Sequence, residues 1–307
     1  MLVQILGAAA GGGLPQWNCR CPNCIAARSG SPDVPSMTQS SMAISSDGVS
    51  WYLLNVSPDV RQQVLDCPEL APPETADRGS GIAGCVLTDA ELDHTVGLLL
   101  LRERSSFSVL STGLVHQWLN EKFPIEPVLS AFGGHPWSEF VFGEEFNLCS
   151  GSGEPSALWV EAFDLDSHPP LYVGAGSDVA AGSVVGLKIR DANTGGTMVF
   201  APGVESINDA LRKAVEGVDA LFFDGTCWSN DEMIALGFSD RSGLDMGHMP
   251  VSGDEGSLAW LESLPVKMKV YFHMNNTNPM LNRTRAEYRM VMNAGLRIGA
   301  DGDRFEF

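Results

Sequence analysis

Short apolar runs punctuate this chain, each closed by Gly, Pro or an acidic residue. "LVQIL", from Leu2 to Leu6, reads as a first strand running into a glycine loop. "GIAGCVL", "GGTMVFAPG", "DALFFDG" and "VKMKVYFH" are nearly continuous apolar stretches, the pattern of strands covered on both faces. Helix signals lie between them. Ser57 and Pro58 start a helix through Asp66. Ser206 N-caps a helix with Asp209 as its box partner and Gly217 at its end. Asn230 to Leu236 forms a helix stopped by Gly237, and Thr284 caps another with Glu287 as box residue and Gly295 as its close. Strands alternating with helices predict an α/β protein whose helices cover buried sheets. Loops fall at 68–81, 149–156, 166–183 and 239–255, but strand-like segments continue on either side of each, so one domain over 1–307 is expected.

Composition narrows the class. The chain has 307 residues, 44% of them hydrophobic, enough for a sizeable core. Its formal charge of −19 argues against a nucleic-acid surface, which needs Lys and Arg along phosphates. A small anionic substrate must therefore find specific local cations. No apolar run approaches the roughly 20 residues of a membrane span. The first residues carry no Lys or Arg before a very short apolar segment, unlike a signal peptide, so a cytoplasmic protein is expected. In a reducing compartment seven cysteines do not imply disulfides. The tight "CRCPNC" cluster of Cys19, Cys21 and Cys24 instead predicts a structural zinc site. A fourth ligand is not evident; Asn276 is a poor one by chemistry.

Three apolar runs end in metal-ligand residues. "GCVLTDAELDH" ends in Asp93 and His94, "DALFFDG" in Asp224, and "KVYFHMNNTNP" in His273. Ligands of α/β proteins commonly bind beyond the carboxyl ends of strands. A single Asp there is ordinarily a turn residue or cap, and a lone His a satisfied core residue. Agreement among three strand ends is what favours a shared site. Two imidazoles with carboxylates and open positions suit non-haem Fe(II), and the same set suits Zn or Mn. His248, in the Gly-rich "MGHMPVSG", is expected near the site. His116 reads as structural within a helix, and His135 and His168 as surface loop residues. The glycines of "GAAAGGG" are expected to let backbone pass close to the metal.

"TDAELDH" resembles the His-x-His-x-Asp-His motif of the metallo-β-lactamase superfamily, with Asp93 and His94 matching and Asp89 and Glu91 standing where two histidines would be. The match is closer to one branch, the coenzyme PQQ synthesis protein B family. It runs through "GAAAGGGLPQWNCRCPNC", "TQSS", "NVSPDVRQQ", "LDHTVGLLLLRE", "FFDGTCWSNDEM", "MGHMPVSG" and "HMNNTNPML". The resemblance implies an αββα sandwich of two facing mixed β-sheets flanked by helices. It implies one metal position formed by Asp93, His94, Asp224 and His273, and a degraded second position. It implies a step in pyrroloquinoline quinone (PQQ) biosynthesis: Fe(II)-dependent insertion of oxygen from O2 into the tyrosine-derived ring of a cross-linked Glu-Tyr precursor. Asp89, Glu91 and His248 would move protons or position the phenol, and Arg241, Asn275 and Asn276 would bind the substrate. Other PQQ-biosynthesis enzymes are the implied partners, and a homodimer is left open. Two alternatives stand beside this reading: a hydrolase such as a phosphodiesterase of the same fold, and a non-catalytic carrier of PQQ or its precursor.

Overall fold

The computed structural model describes residues 1–103, 107–174 and 180–307. Part of the loop expected at 166–183 thus lies outside the described residues. Six strands come first: β1 (Leu2–Gly7), β2 (Ser41–Ser45), β3 (Trp51–Leu54), β4 (Ile82–Val86), β5 (Ser108–Ser111) and β6 (Trp137–Glu139). Seven more follow: β7 (Glu145–Cys149), β8 (Pro155–Asp164), β9 (Val185–Asp191), β10 (Thr197–Ala201), β11 (Ala220–Asp224), β12 (Met268–Phe272) and β13 (Arg297–Ile298). The last, β14 (Arg304–Glu306), returns to the first sheet beside β1. Two seven-stranded sheets result, ordered β14-β1-β2-β3-β4-β5-β6 and β13-β12-β11-β10-β9-β8-β7. Within each sheet, the strands that point at the site run parallel: β3 through β6 in one and β10 through β13 in the other.

The apolar runs explain why the sheets face one another. Met42, Ile44, Tyr52 and Leu54 of the first sheet share one core with Phe200, Phe222, Val270 and Phe272 of the second. A second core under the first sheet buries Leu53, Cys85 and Val109 against Val60, Val115, Leu119 and Leu129 of the helices Val60–Asp66, Gly113–Glu121 and Ile125–Ser130. Leu211, Leu261 and Val291 of three further helices complete the fourth layer over the second sheet. The expected αββα sandwich is the observed fold. Leu221, Phe222 and Phe223 are all fully buried. At roughly 1.5–3 kcal/mol each before chain entropy, they help hold in place a strand that ends in the buried carboxylate of Asp224.

Some helix starts differ from expectation. Asn208, not Ser206, caps Asp209–Ala214, its side chain accepting the Leu211 N–H at 2.9 Å. Ser206 and Asn208 are both suitable caps, and packing picks the one nearer the core. Thr284 does not cap the helix Ala286–Asn293, because its hydroxyl donates to Asn282 Oδ1 at 2.7 Å. The Asn230–Leu236 helix shortens to Glu232–Ala235, with Gly237 left-handed after it at φ 68°. Among the described residues no helix is long and apolar enough to cross a membrane.

Candidate metal centre

The parallel strands β4, β11 and β12 deliver their carboxyl ends to one cavity of about 420 Å3. After β4 the chain turns at Asp89 and enters the short helix Leu92–Thr95, which carries Asp93 and His94. β11 ends in Asp224, and β12 is followed at once by His273. His273 holds the left-handed conformation, φ 56°. That conformation is costly for a side chain with a Cβ and persists only where neighbours enforce it. Here the Met274 N–H donates to Ala8 O at 3.0 Å and the Ala10 N–H to Met274 O at 2.8 Å, pinning the turn to the N-terminal loop. Gly11 in that loop also meets expectation, since a Cβ there would lie 3.3 Å from Asp93 Oδ2.

Side chains able to ligate a metal fall into two overlapping groups that share His273: Asp93, His94 and His273, and Asp224, His248 and His273. His273 Nε2 lies 3.2 Å from Asp93 Oδ2, and His94 Nε2 lies 4.0 Å from the same oxygen. His248 Nδ1 lies 2.6 Å from Asp224 Oδ2. The His94 and His273 ring centroids are 5.0 Å apart, and those of His248 and His273 5.1 Å. The three strand ends lie together, and His248, expected near the site, lies with them against Asp224. Its loop lies 24 residues from Asp224 in sequence, and no local pattern announces its contact with that carboxylate.

The electrostatics fit a cation. Burial works against a charged His94, yet Asp89 and Asp93 push it up to about 9. Burial also opposes charge on Asp93, but His94 and His273 hold that carboxyl well below the usual range. Burial, together with Asp93 and Asp89, pushes Glu91 up to about 7. The carboxylates demand positive charge between them, and the donor set of imidazoles and carboxylates suits Fe(II), Zn or Mn.

Asp89, expected to move protons or position the phenol, lies against His94. It is 2% exposed, and both of its oxygens lie 2.8 Å from His94 Nδ1. It also accepts from Thr88 Oγ1 at 2.7 Å and from the Glu91 N–H at 2.9 Å. A carboxylate on one ring nitrogen orients the other toward a metal. The motif position that carries a ligating imidazole in the superfamily pattern therefore here supports the neighbouring ligand. Ser40, from the "TQSS" segment, meets His94 Nε2 at 3.1 Å.

Substrate-side residues divide. Arg241 and Asn275 line the cavity. One guanidinium nitrogen of Arg241 donates to Asp245 O. Asn276 is not on the cavity. It is 3% exposed, and its amide nitrogen lies 3.2, 3.5 and 3.2 Å from the sulfurs of Cys19, Cys21 and Cys24. Adjacent residues of an extended turn point to opposite sides, so Asn275 faces the cavity and Asn276 the cysteines. These three sulfurs lie together as a group able to hold an ion, and burial and the neighbouring thiols push Cys21 up to about 12. Such a cluster of thiols suits zinc, and the Asn276 amide N–H groups face the sulfurs as donors, not as a fourth ligand. His168 is exposed, as expected, and also lines the cavity mouth, with its Nδ1 2.6 Å from Glu205. Tyr172, not singled out from sequence, also lines the cavity and donates from its hydroxyl to Ala90 O at 2.6 Å.

Comparison with known proteins places this geometry. Residues 50–274 match the beta-lactamase superfamily domain. The chain is 40% identical over 303 residues to coenzyme PQQ synthesis protein B of Pseudomonas fluorescens (strain Pf0-1), covering 98% of each chain. It is 39% identical over 306 residues to the protein of that name from Acinetobacter baumannii (strain SDF), covering 100% of each. The crystal structure of Zn(2+)-bound PqqB from Methylobacterium extorquens superimposes with a TM-score of 0.91 at 35% identity, covering 100% of both chains. A diphosphatase of the PhnP family shares the fold at a TM-score of 0.67 and 18% identity, covering 100% of this chain and 97% of its own. The chain belongs to the coenzyme PQQ synthesis protein B family of the beta-lactamase superfamily.

Proposed function

We propose that this protein acts in PQQ biosynthesis as a metal-dependent oxygenase that hydroxylates the tyrosine-derived ring of the Glu-Tyr precursor. The observation that carries the reading is the mixed centre of Asp93, His94, His273, His248 and Asp224 at a cavity that also holds Arg241. Asp93, His94, His273, His248 and Asp224 would hold an iron(II) ion, which would supply the one-electron chemistry that lets triplet O2 react with a closed-shell phenol. Inserting one oxygen atom and releasing the other as water also consumes two electrons and two protons, which an external reductant must provide.

The chain's own residues do the rest. Asp89 holds His94 in one orientation through Nδ1. Arg241 would pair with a substrate carboxylate, and Asn275 lines the same cavity. Among the described residues no hydrogen bond claims the Glu91 carboxylate, which lines the cavity and is placed to take or give a proton at the phenol oxygen. Tyr172 closes one wall.

The hydrolase alternative is disfavoured by Asp89. A dinuclear hydrolase uses both ions to make and place a hydroxide. Asp89, where a second ion would take a ligand, is spent on His94. The carrier alternative calls for no redox-active ion. Protein purified without oxygen and loaded with Fe(II) tests the reading. With a reductant and a tyrosine-like or ortho-diphenol substrate, it should consume O2 and add one oxygen atom to the ring, as read by mass spectrometry. Zinc-loaded protein that cleaves phosphodiesters while the iron form consumes no oxygen would overturn it.

A further inference from the structure

Asn23 sits between Cys21 and Cys24 of the thiol cluster and is 4% exposed. Its side chain leaves the cluster and enters the turn that follows His273. The amide nitrogen donates to Asn276 O at 3.0 Å and to Asn278 O at 2.9 Å. Asn278, fully buried, repeats the arrangement one step on. Its amide nitrogen donates to Gly225 O at 2.9 Å, and its Oδ1 accepts the Met280 N–H at 3.0 Å. Both amide nitrogens face backbone carbonyls, which only accept, so the partners settle which way each amide points. Gly225 directly follows Asp224, and its own N–H donates to Phe272 O at 2.8 Å, one residue before His273. A line of buried donors and acceptors thus runs from the cysteines to the backbone beside Asp224 and His273.

We propose that Asn23 and Asn278 are positioning residues through which an ion on the three sulfurs tightens the Asp–His centre. The first link lies on the cysteine side. Cys19 Sγ accepts the Cys21 N–H at 3.3 Å, Cys21 Sγ the Cys24 N–H at 3.4 Å, and Cys24 Sγ the Gln16 N–H at 3.3 Å. Sulfurs and backbone therefore move as one unit, and an ion that draws the sulfurs together fixes the segment that carries Asn23. The second link is the turn itself. Residues 275–278 lie in neither strand nor helix, so the two amides supply donors that regular structure would otherwise supply. Without Asn23, Asn276 O keeps the Cys21 thiol at 3.6 Å, and a thiolate on an ion has no proton to give. The turn would then shift to find another partner, and Asp224 and His273 stand at its two roots. Such coupling between sites is reciprocal and typically amounts to about 5–150-fold in affinity.

The inference rests on the metal reading of this centre and not on the oxygen chemistry proposed for it. Its test is cobalt(II) titration of metal-free protein followed by absorption. Cobalt on thiolates gives an intense sulfur-to-metal band in the near ultraviolet, and cobalt on imidazoles and carboxylates gives weak visible bands, so the two sites are read separately. Asn23→Ala keeps all three cysteines. Its thiolate band should persist while affinity at the Asp–His centre falls about 5–150-fold. Asn147→Ala is the control. Its amide also donates to two carbonyls, Ser156 O at 2.8 Å and Leu158 O at 3.0 Å, but between β7 and β8 at the far edge of the second sheet. It should lose stability and keep wild-type cobalt affinity. Wild-type affinity in Asn23→Ala, or an equal loss in Asn147→Ala, would overturn the inference and leave the metal reading standing. Visible bands of wild-type affinity in His273→Ala would overturn both. Hydrogen exchange in His273→Ala decides the point where Asn23→Ala fails to fold. Added zinc then has the cysteines to bind, and filling them should slow exchange at the Asn275 and Asn278 N–H groups. Unchanged exchange at both would refute the proposal.

Discussion

Gly97, three residues past His94, offers a direct test of how the first half of the site is held. Its N–H donates to Val56 O at 3.0 Å, and the Val56 N–H donates to His94 O at 2.7 Å. The helix that carries Asp93 and His94 is thereby fastened to the backbone leaving β3. A Cβ on Gly97 would lie 2.1 Å from Ser57 O and 2.7 Å from Val56 O. A carbon and a carbonyl oxygen come to rest at about 3.3 Å. Gly97→Ala therefore requires the two backbones to part by a little over 1 Å, and no side-chain rotation relieves it. Overpacking of this kind costs about 1–3 kcal/mol. At about 2–4 °C per kcal/mol in a large domain, the melting temperature should drop by roughly 2–12 °C. The displacement passes to Asp93 and His94, and a misplacement near 1 Å at a reacting centre costs about a hundredfold. The assay is a thermal melt paired with metal titration and oxygen-dependent turnover. Gly113→Ala is the control. Gly113 opens the helix Gly113–Glu121, and the nearest atoms to its Cβ would be those of the Glu139 carboxylate, at 3.0 Å, the end of a side chain that can move. It should be neutral or stabilising by up to about 1 kcal/mol. Gly97→Ala with wild-type melting and wild-type metal affinity would refute the reasoning.

His273→Ala should release the active-centre metal and lower turnover by orders of magnitude while the cysteine-bound zinc stays. His116→Ala, whose ring bridges Glu126 and Glu139 at 2.7 Å each, should leave both metals in place; equal metal loss in the two would break the assignment. Cys21→Ser should strip one zinc and lower the melting temperature, and full zinc content at wild-type stability would remove the cysteine site from consideration. Asp301 accepts N–H bonds from Ala8 at 3.0 Å and Thr38 at 2.6 Å, yet burial pushes its carboxyl up to about 6. The native state then keeps a proton that the unfolded chain has lost, so this group's contribution to stability falls as pH rises from about 4 to about 6 and is level above that. About two pH units at about 1.4 kcal/mol each bound the loss at roughly 3 kcal/mol. Urea midpoints across that range should decline in the wild type and flatten in Asp301→Asn.

What the sequence determined by itself was local. The continuous apolar runs ending in Asp224 and His273 named two strands of the second sheet, because a strand covered on both faces has no polar side to show. The spacing of Cys19, Cys21 and Cys24 named a thiol cluster, because those residues meet within one turn of chain. "LDHTVG" placed Asp93 and His94 at a strand end, and its glycine is the residue that lets the helix dock. Tertiary structure decided the rest. Asn276 reaches Cys24 across 252 positions, and the same turn sends Asn275 the other way, into the cavity. His248 meets Asp224, Asp89 meets His94, and the Thr226 hydroxyl lies against both Asp224 and His273. None of these pairings has a period or a spacing in the chain. A hydrogen bond is directional and spans about 3 Å, so which atom of a ring meets which oxygen is fixed only when both sheets have packed and their ends are brought to one place.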